Sequence, residues 1–403
     1  MKKVVIGAMA VLALTACSNE KVIQTNEQNN EISFTAVTEK SLSRAEDGYC
    51  NKETPASFYA SALYTKDNGS TYVQYFLNDQ FDKEGSAKDG KTYVANGSYR
   101  YWPDLTNANY KLKMFAATNV QPTWNTGKTN MEAIGYTVEA LVDKQKDFLY
   151  AVQDVTDVPS GGQLTINFRH ALSQIEFAAI NENKKIRVEI YGVSVANVNS
   201  KGNFAFPAST DGTVENHGFT GTYPDADKVG KWTLQSDKVQ YNVTITPTEE
   251  IKSTSTSLTV YDGTEHEWNT NTMYLIPQQL ASWNRAGFPK PTEDPAEGTY
   301  FLVKAKIWNI ADAVGGWTDE DVLLWGDNSA SLNPTGAKDI AIPAPATNWE
   351  PGKRYVYTFV FTTTGNGGTD PDTGKDILTP IKLQLTIDDF VNGGVDDPVN
   401  MTK

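Results

Sequence analysis

The sequence predicts an all-β protein, and three of its features carry that prediction. Apolar and polar residues alternate with a period of two along many segments, which is typical of strands buried on one face. Clusters of Gly, Asn, Asp and Pro separate these segments, as turns between strands require. No convincing long amphipathic helix interrupts the pattern. We therefore expect many strands arranged as two β-sandwich domains in tandem.

The first predicted strand alternates Ile32, Phe34 and Ala36 with Ser33 and Thr35. The same alternation recurs at 110–116, 164–168, 239–245, 301–307, 355–361 and 381–387. Successive side chains of a strand point to opposite faces, so each segment should bury one face and expose the other. The last predicted strand carries on its apolar face Ile381, Leu383, Leu385 and Ile387.

The chain divides into a signal peptide, a tether and two larger parts. The signal peptide covers 1–16, and a tether and propeptide that includes the first strand covers 17–44. An N-terminal sandwich is expected at 45–160 and a C-terminal sandwich at 161–403. The boundary follows a Val-Pro-Ser-Gly-Gly run at 158–162, because Pro and Gly punctuate structure.

The N-terminus has the pattern of a lipoprotein signal. Lys2 and Lys3 precede an apolar run at 4–14, which is too short to span a bilayer permanently. The sequence Leu-Thr-Ala-Cys then ends at Cys17. A small residue before the cut and a Cys after it predict that the Cys17 thiol takes a diacylglycerol group and anchors the chain to a membrane. The alternative is an ordinary secretory signal that happens to contain a Cys.

Composition restricts the classes of partner. Lys and Arg number 35 against 49 Asp and Glu, so the net charge is −14. Nucleic acid is excluded as a partner, because its binding depends on neutralising phosphates. The chain has 2 cysteines, and Cys17 is committed to lipid. An exported protein without an internal disulfide must be held together by its core and its strand pairing.

No catalytic, metal or cofactor motif is present. The 3 histidines, at 170, 217 and 266, lack metal-ligand spacing. His170 lies at the end of a predicted strand, and we expect it to have a structural role. The glycine-rich and nucleophile-elbow signatures of enzymes are missing, so we expect no catalytic residue, no metal and no cofactor. Trp317 and Trp325 lie in a polar insertion and are candidates for sugar stacking, although most tryptophans should belong to the core.

The segment after the first strand suggests proteolytic processing. It is polar and contains Arg44 followed by Ala45, a bond that a trypsin-like protease would cut in a flexible loop. Cutting there would remove the tether and the strand bearing Ile32, Phe34 and Ala36. The groove left behind could accept a strand from another chain. The alternative is an ordinary first strand followed by an ordinary loop.

Several motifs, in their order along the chain, resemble the fimbrillins, the type V pilin subunits of Gram-negative gut and oral anaerobes. The matching stretches are LTAC ending at Cys17, ISFTA at 32–36, SRA ending at Ala45, YRYWP at 99–103, YKLKMFAA at 110–117, KDFLYA at 146–151, FRHALSQIEF at 168–177, IYGVSVANV at 190–198, GNF at 202–204, MYLIPQQL at 273–280, IAIPAP at 340–345, NWEPGKRYVYTF at 348–359, GGTDPDTGK at 367–375 and IKLQLTIDDF at 381–390.

The resemblance implies two transthyretin-like sandwiches in tandem and a precursor lipidated at Cys17. It implies transport to the outer membrane surface and cleavage after Arg44 by an Arg-specific protease. The strand containing Ile32, Phe34 and Ala36 would be removed, and a C-terminal strand of a neighbouring pilin subunit would replace it. The strand with Ile381, Leu383, Leu385 and Ile387 is either such a donor or the last strand of the sandwich.

Three functional hypotheses remain open from the sequence. The leading one is a structural fimbrial subunit that polymerises by strand exchange and mediates adhesion to a host or microbial surface. The alternative is a monomeric surface lipoprotein that binds glycans through Trp317 or Trp325. A secreted hydrolase with a carboxylate pair is the third, and the missing catalytic motif counts against it.

Overall fold

The structure is a computed structural model that describes residues 30–38, 55–84, 92–210, 229–245, 250–258, 272–284, 298–311, 318, 320–327, 336–364 and 367–389. Its strands, in chain order, are β1 (Ser33–Thr38), β2 (Ser57–Thr65), β3 (Val73–Lys83), β4 (Thr92–Ala95), β5 (Lys111–Ala117), β6 (Thr123–Trp124), β7 (Met131–Thr137), β8 (Leu149–Val155), β9 (Gln163–His170), β10 (Ser173–Asn181), β11 (Ile186–Asn199), β12 (Lys201–Ala205), β13 (Lys231–Leu234), β14 (Lys238–Thr244), β15 (Thr256–Ser257), β16 (Met273–Leu275), β17 (Tyr300–Asn309), β18 (Val322–Trp325), β19 (Lys338–Pro343), β20 (Lys353–Phe361), β21 (Gly367–Thr369) and β22 (Asp376–Asp389).

The expected all-β class is confirmed. The described residues form strands and two short 3-10 turns, at Val142–Lys144 and Ser160–Gly162, and contain no α-helix. Each segment with predicted alternation forms or lies within a strand, namely β1, β5, β9, β14, β17, β20 and β22. No helix in the described part of the chain is long and apolar enough to cross a membrane.

The first sheet closes on itself. Its strands are hydrogen-bonded in the order β1-β4-β3-β2-β5-β8-β9, and β9 pairs again with β1. The inward side chains alternate along each strand and form one buried core, which includes Phe34, Phe58, Phe81, Tyr93 and Phe168. This first sheet runs to His170 at the end of β9, and the second sheet begins with β10 at Ser173.

The second sheet has 11 strands and folds over its own core. Its order is β14-β11-β17-β19-β21-β22-β20-β10-β15, with β16 paired to β10 and β18 to β17. Rings from strands that are not hydrogen-bonded neighbours meet in this core. The centroids of Phe301 on β17 and Tyr357 on β20 lie 4.6 Å apart. The strand β22 joins the two sides, because it begins beside β21 and continues beside β20.

A third, 4-stranded sheet is shared by the two halves of the chain. Its order is β13-β12-β7-β6, so β6 and β7 come from before the first sheet is complete and β12 and β13 come from after it. An aromatic cluster packs here, with Phe148 and Phe204 centroids 5.0 Å apart and Trp232 5.0 Å from Phe204. These rings belong to the same buried cluster as the core of the second sheet.

Candidate functional site

The strand β1 lies between β9 and β4 and closes the first sheet. Residues 33–38 pair in parallel with 163–168 of β9. On its other side, Phe34 pairs antiparallel with Tyr93 of β4. If β1 were absent, β4 and β9 would both become edges with unpaired backbone N–H and C=O groups.

One face of β1 is buried in the first core, as the alternation predicts. Ile32, Phe34 and Ala36 are 0%, 1% and 2% exposed, respectively. The ring of Phe34 meets two others edge-on, with centroids 5.4 Å from Phe58 and 4.7 Å from Phe81. Such T-shaped contacts stabilise a core beyond the area that they bury. The removal of this strand stays a prediction.

The residues before β1 extend the pairing. The Ile32 N–H donates to the Arg100 carbonyl at 2.7 Å, and the Trp102 N–H donates to the Asn30 carbonyl at 2.9 Å. The Trp102 indole N–H donates to the Gly162 carbonyl at 2.8 Å, just before β9 begins. The segment 100–102, which pairs with the residues before β1, is therefore tied to the start of β9 by a contact that does not involve β1.

A residue from the second half of the chain supports β9 from its other side. Within the described range 92–210, β9 pairs with β8 only near His170. Farther from His170, where the two strands diverge, the Thr210 hydroxyl lies 3.0 Å from the Val152 carbonyl and 3.1 Å from the Asn167 carbonyl. It also accepts a hydrogen bond from the Val152 N–H at 2.8 Å. Thr210 is 1% exposed, so it completes the strand pairing inside the protein.

The last described strand, β22, belongs to the second sheet. From Ile381 to Asp389 it pairs with β20, and no other described strand pairs with this stretch. The Ile381 side chain is buried. Half-buried against the second core are Leu383, Leu385 and Ile387. In this structure the strand is therefore an integral part of the second sheet.

Of the two tryptophans predicted to stack on sugars, the structure describes only Trp325. Trp325, on β18, is half-buried against the second core, and its indole N–H donates to the Lys338 carbonyl at 3.1 Å. Trp317 lies outside the described residues. Trp102 and Trp349 are buried, as expected for core tryptophans. Sugar binding by Trp317 or Trp325 remains a prediction.

The predicted modification sites also lie outside the described residues. These are Cys17, Arg44 and Ala45. Lipidation and cleavage therefore stay predictions. Sequence reasoning missed two elements that hold β1 and the residues before it, namely Tyr93 on β4 and the segment 100–102. The short alternation at 92–95 was the only available signal for β4, and nothing local indicates which strand it would pair with.

His170, the histidine that the structure describes, is buried beside a carboxylate. His170 is 2% exposed, and its Nδ1 lies 2.5 Å from Asp147 Oδ2. The other histidines, His217 and His266, are outside the described residues. Within the described part of the chain, no three His, Cys, Asp or Glu side chains are grouped as a metal site would need. The geometry around β1 is thus the arrangement that calls for a functional explanation.

A comparison with solved structures gives matches that extend over most of the chain. A fimbrial protein from Bacteroides vulgatus is 12% identical, with a TM-score of 0.47, and the match covers 89% of this chain and 99% of the other. A proposed cell adhesion protein from Bacteroides uniformis is 13% identical, with a TM-score of 0.40, covering 89% and 98%. A third, from Bacteroides ovatus, is 11% identical, with a TM-score of 0.42, covering 91% and 99%.

A comparison with curated proteins gives no significant match. The family model described as fimbrillin-like matches residues 23–316, which include β1, the whole closed sheet and six of the 11 strands of the second sheet. That range covers more than half of the chain, and the chain therefore belongs to the fimbrillin-like family.

Proposed function

We propose that this protein is a structural subunit of a cell-surface fimbria, assembled by strand exchange and used for adhesion. The observation that carries the proposal is β1, an N-terminal strand that closes the first sheet and buries Ile32, Phe34 and Ala36. Membership in the fimbrillin-like family supports a fimbrial role. This role needs no catalytic residue and no cofactor.

The proposed processing begins at the N-terminus. Residues 1–16 direct export, Cys17 carries the lipid that holds the precursor at the outer membrane, and an Arg-specific protease cuts between Arg44 and Ala45. This cut lies after Thr38, the last residue of β1, so it separates the whole strand from the body of the subunit. The same bond lies before β2, which begins at Ser57, so the body keeps its remaining strands.

Loss of β1 leaves a vacancy that another strand must fill. Burial of Ile32 and Phe34 contributes roughly 1.5–3 kcal/mol each, and each backbone hydrogen bond to β9 or β4 adds about 0.5–1.5 kcal/mol. An open groove with two unpaired edges is therefore unstable in water. A strand from a neighbouring subunit restores both the burial of apolar side chains and the backbone hydrogen bonds. Repetition of this step along a series of subunits builds a fibre without disulfides.

The proposal also includes the domain architecture. We infer that the two halves of the chain are transthyretin-like sandwiches in tandem. Two separate buried clusters support this, one inside the closed sheet and one beneath the second sheet. The shared sheet of β6, β7, β12 and β13 connects them.

The test is made on cells that produce the full chain. Surface material is sheared off, run with and without boiling on a denaturing gel, and the N-terminus of each band is sequenced. We expect a heat-sensitive ladder whose monomer begins at Ala45. The variant Arg44→Ala should abolish the ladder, whereas Lys40→Ala, a nearby basic residue in the same segment, should leave it intact. A single lipidated monomer in the wild type would contradict the proposal and favour a monomeric glycan-binding lipoprotein.

A further inference from the structure

We propose that the groove occupied by β1 selects a partner strand with a large aliphatic, an aromatic and a small residue at successive inward positions, and that it rejects β22 of a second copy. This rests on the proposed function, since it assumes that β1 is replaced. It identifies the partner by its chemistry: an extended segment of a neighbouring subunit, other than β22, that carries this triplet.

The present occupant supplies the template. The inward residues are Ile32, immediately before β1, and Phe34 and Ala36 of β1, all at most 2% exposed. The middle position is an aromatic site, because the Phe34 ring makes edge contacts with both Phe58 and Phe81. A leucine there would fill part of the volume and lose the ring contacts.

The third position is small, and β9 beside it is held in place. Ala36 pairs with Ile166 of β9, and the neighbouring Asn167 carbonyl is bonded by Thr210. At the other end the Trp102 indole N–H donates to the Gly162 carbonyl, just before β9. Because β9 is held near both of its ends, it has little freedom to move away from β1, and a larger residue in place of Ala36 would overpack the core.

The inward face of β22 does not fit this groove in any register. It presents Ile377, Thr379, Ile381, Leu383, Leu385 and Ile387. The next residue at the same spacing in the sequence is Asp389. Aligning Ile381, Leu383 or Leu385 with Ile32 puts, respectively, Leu385, Ile387 or Asp389 in place of Ala36. Aligning Thr379 with Ile32 puts Leu383 there, and aligning Ile377 puts Ile381 there. The register that puts Thr379 there sets Lys375 in place of Ile32, which buries a charge without a partner.

The strand β22 is also engaged in its own subunit. It pairs with β20 from Phe361↔Ile381 to Lys353↔Asp389. Its Leu383, Leu385 and Ile387 cover part of the second core. Donating β22 would therefore open the donor subunit along β20, and the gain in one subunit would be offset by the loss in the other.

The partner strand must also be extended on the N-terminal side of β1, where residues 30–32 bond to the segment 100–102. Asn30 and Ile32 exchange hydrogen bonds with Trp102 and Arg100, and Glu31 forms an antiparallel bridge with Tyr101. A replacement therefore needs an extended backbone over the whole stretch 30–38. A proline at the position of Ile32 would remove the N–H that bonds to Arg100.

The experiment uses residues 18–403, which lack the lipid-bearing Cys17, with a site for an unrelated protease inserted after Ala45. After the cut, loss of the labelled N-terminal fragment is followed by size-exclusion chromatography over time. We expect the fragment of the double variant Phe34→Leu/Ala36→Leu, which imitates β22, to leave at least about tenfold faster than the wild-type fragment. Ser33→Leu adds comparable volume on the outer face of β1 and should have little effect.

A second measurement covers the case in which the double variant does not fold. The cut wild-type chain is mixed with three labelled peptides, and uptake is followed by fluorescence anisotropy. They are the β1 sequence 30–38, the β22 sequence 379–387, and the latter with Leu383→Phe and Leu385→Ala. The first and third should be taken up, and the second at least about tenfold less.

Equal uptake of the unmodified β22 peptide, or equal departure rates of the wild-type and double-variant fragments, would overturn the proposed selection. Both measurements are independent of Arg44, because the inserted site provides the cut. If the bond after Arg44 is not cut on cells, the proposed processing is contradicted. The two measurements above still determine which strand the groove prefers.

Discussion

The ring of Phe34 meets the ring of Phe81 edge-on, with centroids 4.7 Å apart and planes at 89°. The two residues come from β1 and β3, which are not neighbours in the closed sheet but are both paired with β4. This contact crosses the first core, so β1 contributes to the interior of the sheet as well as to its backbone pairing. The stability of the first half should therefore depend on a strand that we expect to be removable.

Phe34→Ala should destabilise the first half by roughly 3–5 kcal/mol, because a fully buried ring is replaced by a cavity. Urea denaturation followed by circular dichroism measures this change. Val73→Ala is the control, since Val73 on β3 is 60% exposed and its truncation should change stability little. If the two variants unfolded at the same urea concentration, β1 would not contribute to the core as described.

Thr210→Val should lower stability by about 1–3 kcal/mol, because it leaves the Val152 N–H buried without an acceptor. Thr210→Ser keeps the hydroxyl and should retain most of the stability. Amide hydrogen exchange at Val152 provides the specific readout, with faster exchange expected in the Val variant alone. Unchanged protection of that amide in Thr210→Val would show that Thr210 does not complete the pairing.

Trp102→Phe removes the indole N–H that bonds to the Gly162 carbonyl, and it should lower stability by about 1–3 kcal/mol. Trp124→Phe is a matched control, because the Trp124 indole N–H donates to the side chain of Gln74 near the surface, at 2.7 Å. Faster amide exchange at the start of β9 should accompany the first substitution and not the second. The reverse ranking would contradict a role for Trp102 in tying the segment 100–102 to the start of β9.

The Asp67 carboxyl, in the turn between β2 and β3, should titrate with a pKa of about 2, below its ordinary 3.8. The cause is mainly the Thr71 hydroxyl, followed by the Thr65 hydroxyl and the Thr71 N–H, all of which donate to it. Because the folded pKa is depressed, this stabilisation of the turn is complete above about pH 4 and is lost as pH falls through about 2.

Carboxyl carbon chemical shifts followed against pH measure this pKa directly. Thr71→Val should raise it, and Thr71→Ser, which keeps the hydroxyl, should not. An Asp67 carboxyl that titrated at its ordinary value in the wild-type chain would mean that the turn is open in solution.

The sequence was sufficient to predict seven of the 22 described strands and their buried faces, for a local reason. Alternation with a period of two is a property of a single strand, and it marked β1 and β22 with their apolar sides. It also predicted that Ile32, Phe34 and Ala36 would be buried. The all-β class followed from the same pattern.

The partners of each strand could not be read from the sequence in this way. The parallel pairing of β1 with β9 joins residues that are far apart in the chain, and period two contains no information about which edges meet. The same holds for Thr210, a polar residue in an unremarkable segment whose role exists only where β8 and β9 diverge. Lipidation at Cys17 and cleavage at Arg44 are chemical events, and they stay predictions of the sequence.

The shared sheet of β6, β7, β12 and β13 limits how such a protein can evolve by recombination. A crossover between two related genes at the junction after β9 would pair β7 of one parent with β12 of the other. Phe148 would then meet a foreign residue in place of Phe204, and Thr210 would be inherited separately from Val152 and Asn167. Viable exchanges should therefore fall outside this junction, so that both halves of the subunit are inherited as one block.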